Sequence, residues 1–179
     1  MKSLILLLFS FVHFNAQIKL NTKQEVDILF QGKEFSLDKI FDGKDPYMFK
    51  IVNNTNNTYI IDPYGFKNDN FVMTCDENIV TPDKAILKGF YKRFDDKDCF
   101  NDLIILKPKE EKYAILSIIN LKGWYDLDKE KKYILRLNST HNNYTVILLG
   151  CQSYIRELVE KKGYKVLEDS FIAKIPFVP

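Results

Sequence analysis

The stretch GWYDLDKEKKYILRL, Gly123 to Leu137, decides how the rest of the chain is interpreted. Its second part, from Lys132 onward, alternates polar and apolar residues, which predicts a strand with one buried face. Its first part places carboxylates at alternate positions, at Asp126, Asp128 and Glu130. The stretch is therefore either a cation site or the turn that leads into a strand.

A calcium loop of the EF-hand type does not fit this spacing. Such a loop needs a glycine at its sixth position and a bidentate glutamate at its twelfth, and counting from Asp126 these positions hold Lys131 and Leu137. A turn fits better, because Asp126 can form an Asx turn while Trp124 packs on the core with Tyr133. We therefore predict no metal site and no cofactor, and a looser cation site at this turn stays open.

Short runs rich in Val, Ile, Tyr and Phe continue outward from this stretch in both directions. They are separated by turn-forming clusters such as NNTNN, DPYG and NSTHNN, and long crossover helices are missing from the pattern. This combination predicts an all-β fold, an antiparallel β-sandwich. The predicted strands are Glu25 to Phe30, Met48 to Val52, Thr58 to Ile61, Phe71 to Cys75, Ala85 to Tyr91, Leu103 to Leu106, Lys112 to Ile119, Tyr133 to Leu137, Tyr144 to Leu149 and Ile172 to Val178.

One short helix is predicted near the C-terminus, at about residues 153–162, inserted before a closing strand at about residues 170–178. Ser153 is its expected cap and Gly163 its expected end. The residues that form its apolar stripe are Tyr154, Ile155, Leu158 and Val159. This stripe is expected to pack on the sandwich.

Residues Asp102 to Leu137 resemble a known family. The elements that carry the resemblance are Leu106-Lys107-Pro108-Lys109-Glu110, Tyr125-Asp126-Leu127 and Tyr133-Ile134-Leu135-Arg136. They are similar to the Leu-x-Pro-Gly-Glu turn, the Tyr-Asp-Leu turn and the Tyr-x-Val-Arg strand of the N-terminal domain of deuterolysin-type and peptidyl-Lys metallopeptidases. Lys109 and Leu135 depart from the glycine and valine of that pattern. The resemblance implies an Ig-like β-sandwich, here without the peptidase domain.

The first residues, MKSLILLLFSFVHFNAQ, place one charge before an apolar run and a short polar close. This layout is typical of a secretory signal peptide, so we predict a leader at residues 1–16 and a single Ig-like domain at residues 17–179. The expected location is exported, either secreted or periplasmic, without a stable membrane anchor after leader removal. The whole chain has 26 Lys plus Arg against 24 Asp plus Glu, which argues against nucleic acid as a partner.

Three cysteines, at positions 75, 99 and 151, follow the predicted leader into a compartment where disulfides persist. An odd number leaves at least one thiol without an internal partner. We predict a Cys75–Cys99 disulfide, since both flank one predicted hairpin. The other two pairings stay open.

Catalytic patterns are missing from the sequence. The two histidines, His13 and His141, cannot form a zincin helix, and neither a Gly-x-Ser-x-Gly elbow nor a Gly-rich phosphate loop occurs. His141 is expected in an exposed turn and Cys151 is expected to be structural, so a thiol mechanism from this pair is disfavoured. We predict no catalytic residues.

The sequence favours a non-enzymatic exported binding module whose partner is an exported protein or a surface glycan. An alternative is a secreted or periplasmic peptidase inhibitor with Phe94 to Asn101 as a polar probe loop. A second alternative is a small hydrolase that uses carboxylates. An activity screen separates the last of these from the others.

Overall fold

A computed structural model gives the structure of the protein and describes residues 17–36, 49–66, 69–82, 93–118 and 125–179. The predicted leader at residues 1–16, the predicted strand Ala85 to Tyr91 and Trp124 lie outside the described residues. Among the described residues, no helix is long and apolar enough to cross a membrane.

The described residues form eleven strands and three helices. The strands are β1 (Ile18–Lys19), β2 (Val26–Phe30), β3 (Phe35–Ser36), β4 (Phe49–Asn53), β5 (Tyr59–Ile61), β6 (Phe71–Thr74), β7 (Ile104–Leu106), β8 (Glu111–Ala114), β9 (Tyr133–His141), β10 (Lys165–Val166) and β11 (Asp169–Val178). The helices are α1 (Asp96–Asp102), α2 (Asn143–Leu148) and α3 (Gln152–Lys162). The predicted mainly-β fold is confirmed.

The strands build three sheets, in the orders β1-β2-β4-β8, β10-β5-β7 and β3-β11-β9-β6. Antiparallel pairing dominates, as predicted. Two pairings, β10 with β5 and β11 with β3, are parallel. These two join segments that are distant along the chain, and the local alternation of residues carries no signal for them.

The longest ladder pairs β9 with β11, from Tyr133 opposite Phe177 to His141 opposite Asp169. Along β9 every second residue from Tyr133 to His141 is buried. The predicted strand ended at Leu137, because Asn138, Ser139 and Thr140 look like turn residues. The strand instead continues, since Ser139 and His141 keep the inward-facing register.

Residues from the first and third sheets fill one common core. Ile28 and Ile51 come from the first sheet, and Leu135 and Ile175 come from the third; all four are fully buried in the same cluster. Two sheets that share one core in this way form a sandwich-like arrangement. A second, smaller cluster lies under the helices and includes Ile60, Val146, Ile155 and Leu158.

The N-terminal segment is tied to β11 by a buried carboxylate, Asp169. Its oxygens accept hydrogen bonds from Asn21 Nδ2 at 2.6 Å, from Thr22 Oγ1 at 2.7 Å and from the Lys23 backbone N–H. Burial alone would raise the pKa of Asp169, but these bonds and one from the Ser170 backbone outweigh it and hold that pKa below its usual value. Asp169 therefore stays ionised and fixes residues 21–23 against the third sheet.

The predicted C-terminal helix is confirmed as α3, which ends at Gly163 in the left-handed conformation (φ 66°). Its buried face is formed by Ile155 and Leu158. The prediction that Ser153 caps the helix is wrong. The helix starts at Cys151 without a side-chain cap, and Ser153 Oγ instead donates to Asp96 Oδ1 at 3.1 Å.

The prediction of a single helix is also wrong, because α2 replaces the predicted strand Tyr144 to Leu149. Asn142 and Thr145 form a capping box at its start, in which each side chain accepts from the other residue's backbone N–H. A short apolar run has no decisive period, so the cap determines its structure.

Helix α1 lies in the segment predicted to be a polar loop. Asp95 caps this helix by accepting from the Asp98 backbone N–H at 2.8 Å, and Asp96 and Asp98 in the first turn favour its positive end. Cys99 is the buried residue of α1.

The predicted Cys75–Cys99 disulfide is wrong, since Cys99 pairs with Cys151. Both partners are fully buried in the cluster under the helices, with their Cα atoms 5.7 Å apart. Cys75 follows β6 on the third sheet, where its thiol is exposed and donates to the Lys132 carbonyl. The prediction of one disulfide and one free thiol is correct. The partner of Cys99 is set by the packing of α1 against α3, whereas the predicted pairing assumed a hairpin.

Candidate interaction surface

Two phenylalanines that flank the acidic part of α1 point into solvent. The Phe94 side chain is 91% exposed and the Phe100 side chain is 70% exposed. Isolated exposed apolar residues are common in proteins, whereas groups of large ones mark interaction sites. Whether Phe94 and Phe100 form part of an interaction site therefore depends on the residues beside them.

Helix α2 presents two further exposed apolar residues, Tyr144 and Leu148. They lie four positions apart, on one face of the helix. Val146, between them in sequence, is fully buried in the cluster under the helices. The helix is therefore held by one face and leaves an apolar face open.

Two connections bring α1 and α2 together. The Arg93 backbone N–H donates to the Leu149 carbonyl at 3.0 Å, directly after α2, and the Cys99–Cys151 disulfide fastens α1 to the start of α3. The first connection places Phe94 next to the C-terminal end of α2, and the exposed residues Phe94, Phe100, Tyr144 and Leu148 belong to these two adjoining segments. We call these four residues the aromatic surface.

Acidic residues accompany the aromatic surface. Asp95 and Asp96 are exposed and Asp98 is partly buried, while Lys97 is the one basic residue of the α1 sequence. Asp98 Oδ2 also accepts from the Phe94 backbone N–H at 3.2 Å, which fixes the base of that side chain. Residues 93–102 contain four Asp against two bases, so this segment has a net charge opposite in sign to the +2 of the whole chain.

A buried ion pair involves Arg93, the residue directly before Phe94. The Arg93 guanidinium contacts Asp62 with two hydrogen bonds of 2.6 and 2.9 Å, and its Nε donates to Asp102 at 3.1 Å. The side chains of Arg93 and Asp62 are both fully buried. Burial alone would lower the pKa of Arg93, but the two carboxylates raise it above its usual value. The charged pair therefore fixes residue 93 and the backbone that leads into Phe94.

His141 was predicted in an exposed turn, and this prediction is wrong, because it is fully buried at the end of β9. Its Nε2 accepts from the Asp62 backbone N–H at 2.9 Å, and its Nδ1 lies 2.7 Å from the Leu167 carbonyl and must carry the proton. The Phe66 ring packs beside it at 4.9 Å between centroids. Both ring nitrogens are engaged and Cys151 is in a disulfide, so this pair offers neither a free base nor a thiolate.

The environment of His141 makes stability depend on pH. Burial lowers the pKa of His141 and outweighs the Leu167 hydrogen bond and the Asp62 charge, which act in the opposite direction. The unfolded chain therefore binds a proton more readily than the folded one. The free energy of unfolding keeps this contribution in full above about pH 6.5, the usual pKa of histidine. It falls by up to about 1.4 kcal/mol per pH unit as the pH drops below that value.

Denaturant titrations between pH 8 and 5 measure this slope. In protein that starts at Gln17, His141 is the sole histidine, so its ring resonances give a second reading. Their titration midpoint should lie below the usual value for histidine. A midpoint near 6.5 for the ring, with a flat stability profile, would contradict the assignment.

The carboxylate turn is ordered by local bonds. Asp128 accepts from the Glu130 backbone N–H at 3.0 Å, which is an Asx-type contact. Asp128 also pairs with Lys131 at 3.3 Å, and its own backbone N–H donates to the Tyr133 hydroxyl. Within the described part of the chain, no group of three or more His, Cys, Asp or Glu is arranged to hold a metal ion.

We expect calcium to leave thermal stability unchanged. A micromolar site in millimolar calcium would add about 4 kcal/mol to the free energy of unfolding, which a melting curve detects easily. Melts in calcium and in chelator should coincide. A calcium-dependent rise that Asp128→Asn removes would show that the turn is a cation site.

No protein-family model, no curated protein and no solved structure matches this chain.

The aromatic surface is the feature that the sequence prediction missed. The signal was present in FDDKDCF, Phe94 to Phe100, where two phenylalanines enclose an acidic run instead of lying within an apolar one.

Proposed function

We propose that the protein is an exported, non-enzymatic binding module that holds its partner through the aromatic surface. The observation that carries this proposal is the exposure of Phe94, at 91%, on a segment fixed by a disulfide and a buried ion pair. Its target is an exported protein or a surface glycan.

Exposed aromatic groups on a rigid support are suited to binding. Phe, Tyr and Trp side chains bury large areas and are prominent among the residues that dominate interface energies. Ordering a mobile segment on binding lowers affinity. Here the disulfide, the Arg93–Asp62 pair and the Asp95 cap order the backbone beforehand.

The sequence layout agrees with this proposal. The leader pattern at residues 1–16 supports export, and the Cys99–Cys151 disulfide suits an oxidising compartment. The resemblance to the Ig-like domain of deuterolysin-type peptidases supports a module of the kind that accompanies other proteins. The inhibitor alternative placed a polar probe loop at Phe94 to Asn101, and most of this segment is the helix α1.

The test is a capture experiment with exported proteins from the source of the chain. The wild-type protein and the Phe94→Ser/Phe100→Ser variant serve as matched baits. Both side chains are exposed, so the variant should keep its melting temperature while it loses the bound species. Ile79→Ser is the control, because Ile79 is 63% exposed and bridges to Met73 near the other end of β9.

Identical captured sets from all three baits would contradict binding through the aromatic surface. Turnover of a substrate in an activity screen would contradict the non-enzymatic part of the proposal.

A further inference from the structure

We infer that the partner of the aromatic surface is a polypeptide segment that is both basic and apolar. This inference rests on the proposed function and narrows its partner to one chemical class. It follows from the exposed apolar side chains of residues 94, 100, 144 and 148, which belong to adjoining segments, together with the carboxylates of residues 95–98.

Two helical segments present the exposed apolar side chains. Phe94 precedes α1 and Phe100 lies within it, while Tyr144 and Leu148 share one face of α2. A partner that covers both elements must present several apolar side chains at helical or extended spacing. Segments with one apolar face meet this need.

Helix α1 and the residues before it supply the negative charge. Residues 93–102 contain four aspartates and two bases, and the charge of Arg93 is already shared by Asp62 and Asp102. Asp95 and Asp96 are exposed and Asp98 is partly buried, with the exposed Lys97 as the base beside them. Opposite charges at an interface rim steer association and fix its orientation.

The hydrogen bonds within α1 leave acceptor capacity for a partner. Asp95 and Asp96 each use one oxygen, in the bonds to the Asp98 backbone and to Ser153 Oγ. A carboxylate offers about four acceptor positions. A lysine or arginine of the partner can therefore pair with these groups without breaking the helix cap.

A neutral glycan would leave this charge without a complement, and an acidic glycan would be repelled by it. Carboxylates and aromatic rings can both contact a sugar, but only a basic group complements the charge of Asp95 and Asp96. The surface therefore favours a cationic peptide over a carbohydrate.

The experiment measures binding of three probes to the folded protein by calorimetry or fluorescence anisotropy. One probe is an amphipathic peptide of leucine and lysine, and the second is the same peptide with glutamate at every lysine position. The third is a panel of neutral and acidic oligosaccharides. We expect binding of the lysine peptide alone, with an affinity that falls as salt is raised from about 50 to about 300 mM.

Peptide affinities of substituted proteins show which residues form the binding site. Phe94→Ser/Phe100→Ser should lower the affinity for the lysine peptide by about tenfold or more. Asp96→Asn should lower this affinity less and should make it less dependent on salt. Glu130→Gln is the matched control for charge. Glu130 precedes β9 whereas α2 follows it, and a nine-residue strand separates its ends by nearly 30 Å.

Each outcome decides the inference. Binding of the lysine peptide that the two surface variants weaken and the controls preserve supports it. Equal binding of both peptides, binding unaffected by Phe94→Ser/Phe100→Ser, or no peptide binding overturns it. Oligosaccharide binding that the surface variants abolish overturns the partner class while it supports the proposed function, and the capture experiment tests that function separately.

Discussion

Replacement of Asp62 by Ala lowers the expected free energy of unfolding by about 3–5 kcal/mol, because it leaves the buried Arg93 guanidinium without its main counter-charge. The side chains of Arg93 and Asp62 are both fully buried, and two hydrogen bonds join them. Asp62 Oδ1 also accepts from the Tyr64 backbone N–H at 2.9 Å, so the substitution removes a turn contact as well. Denaturant unfolding at pH 8, where His141 is neutral in both states, measures the loss.

Two further variants separate the ion pair from a general effect of lost carboxylates. Asp128→Ala removes a largely exposed carboxylate paired with Lys131 and should cost at most about 1 kcal/mol, including its turn contact. The Asp62→Leu/Arg93→Leu double variant should lose less free energy of unfolding than Asp62→Leu alone or Arg93→Leu alone. Each single variant leaves one buried charge without its partner, and the double variant does not. A double variant whose loss equals the sum of the two single losses would show that the charges do not interact.

Removal of the Cys99–Cys151 disulfide is the other change with a large expected effect. The bond closes a loop of 52 residues, and in the chain-entropy description a loop of this length contributes about 4 kcal/mol. Cys99→Ala/Cys151→Ala should therefore lower the free energy of unfolding by about this amount, as measured by denaturant titration under oxidising conditions.

Cys75→Ala supplies the matched control, because Cys75 is exposed and outside the disulfide. We expect this variant to change stability by less than about 0.5 kcal/mol. A loss similar to that of the double variant would mean that Cys75 takes part in a bridge in solution. Peptide mapping under non-reducing conditions identifies the linked cysteines directly.

Longer strands such as β9 were predictable from the sequence because burial on one face leaves a period of two, as in the alternation from Tyr133 to Leu137. The two-residue strands β1, β3 and β10 were not predicted, since they are too short to show a period. The C-terminal helix was predictable because Gly163 and the spacing of Ile155 and Leu158 mark it. Helix α2 was not, since NYTVIL has the β-branched and aromatic content of a strand and only the Asn142–Thr145 cap distinguishes it.

The candidate site was harder to predict because its parts come from distant segments. Arg93 and Asp62 are 31 positions apart, and Asp62 meets His141 across 79 positions. A histidine in an Asn-rich run looks solvated until the partners of both ring nitrogens are known. The pairing of Cys99 likewise depends on α1 packing against α3, and neither the period of the residues nor the spacing of the cysteines shows this.

The tie between Asn21 and Asp169 has a consequence for how fast the protein folds. It joins residues 148 positions apart, and the parallel pairing of β3 with β11 spans a similar distance. Contacts of such long range require large loops to close before any stabilisation is gained, which places mixed and all-β domains in the millisecond to second range. Amides of residues 21–23 should therefore become protected from hydrogen exchange later during refolding than those of the β9–β11 ladder.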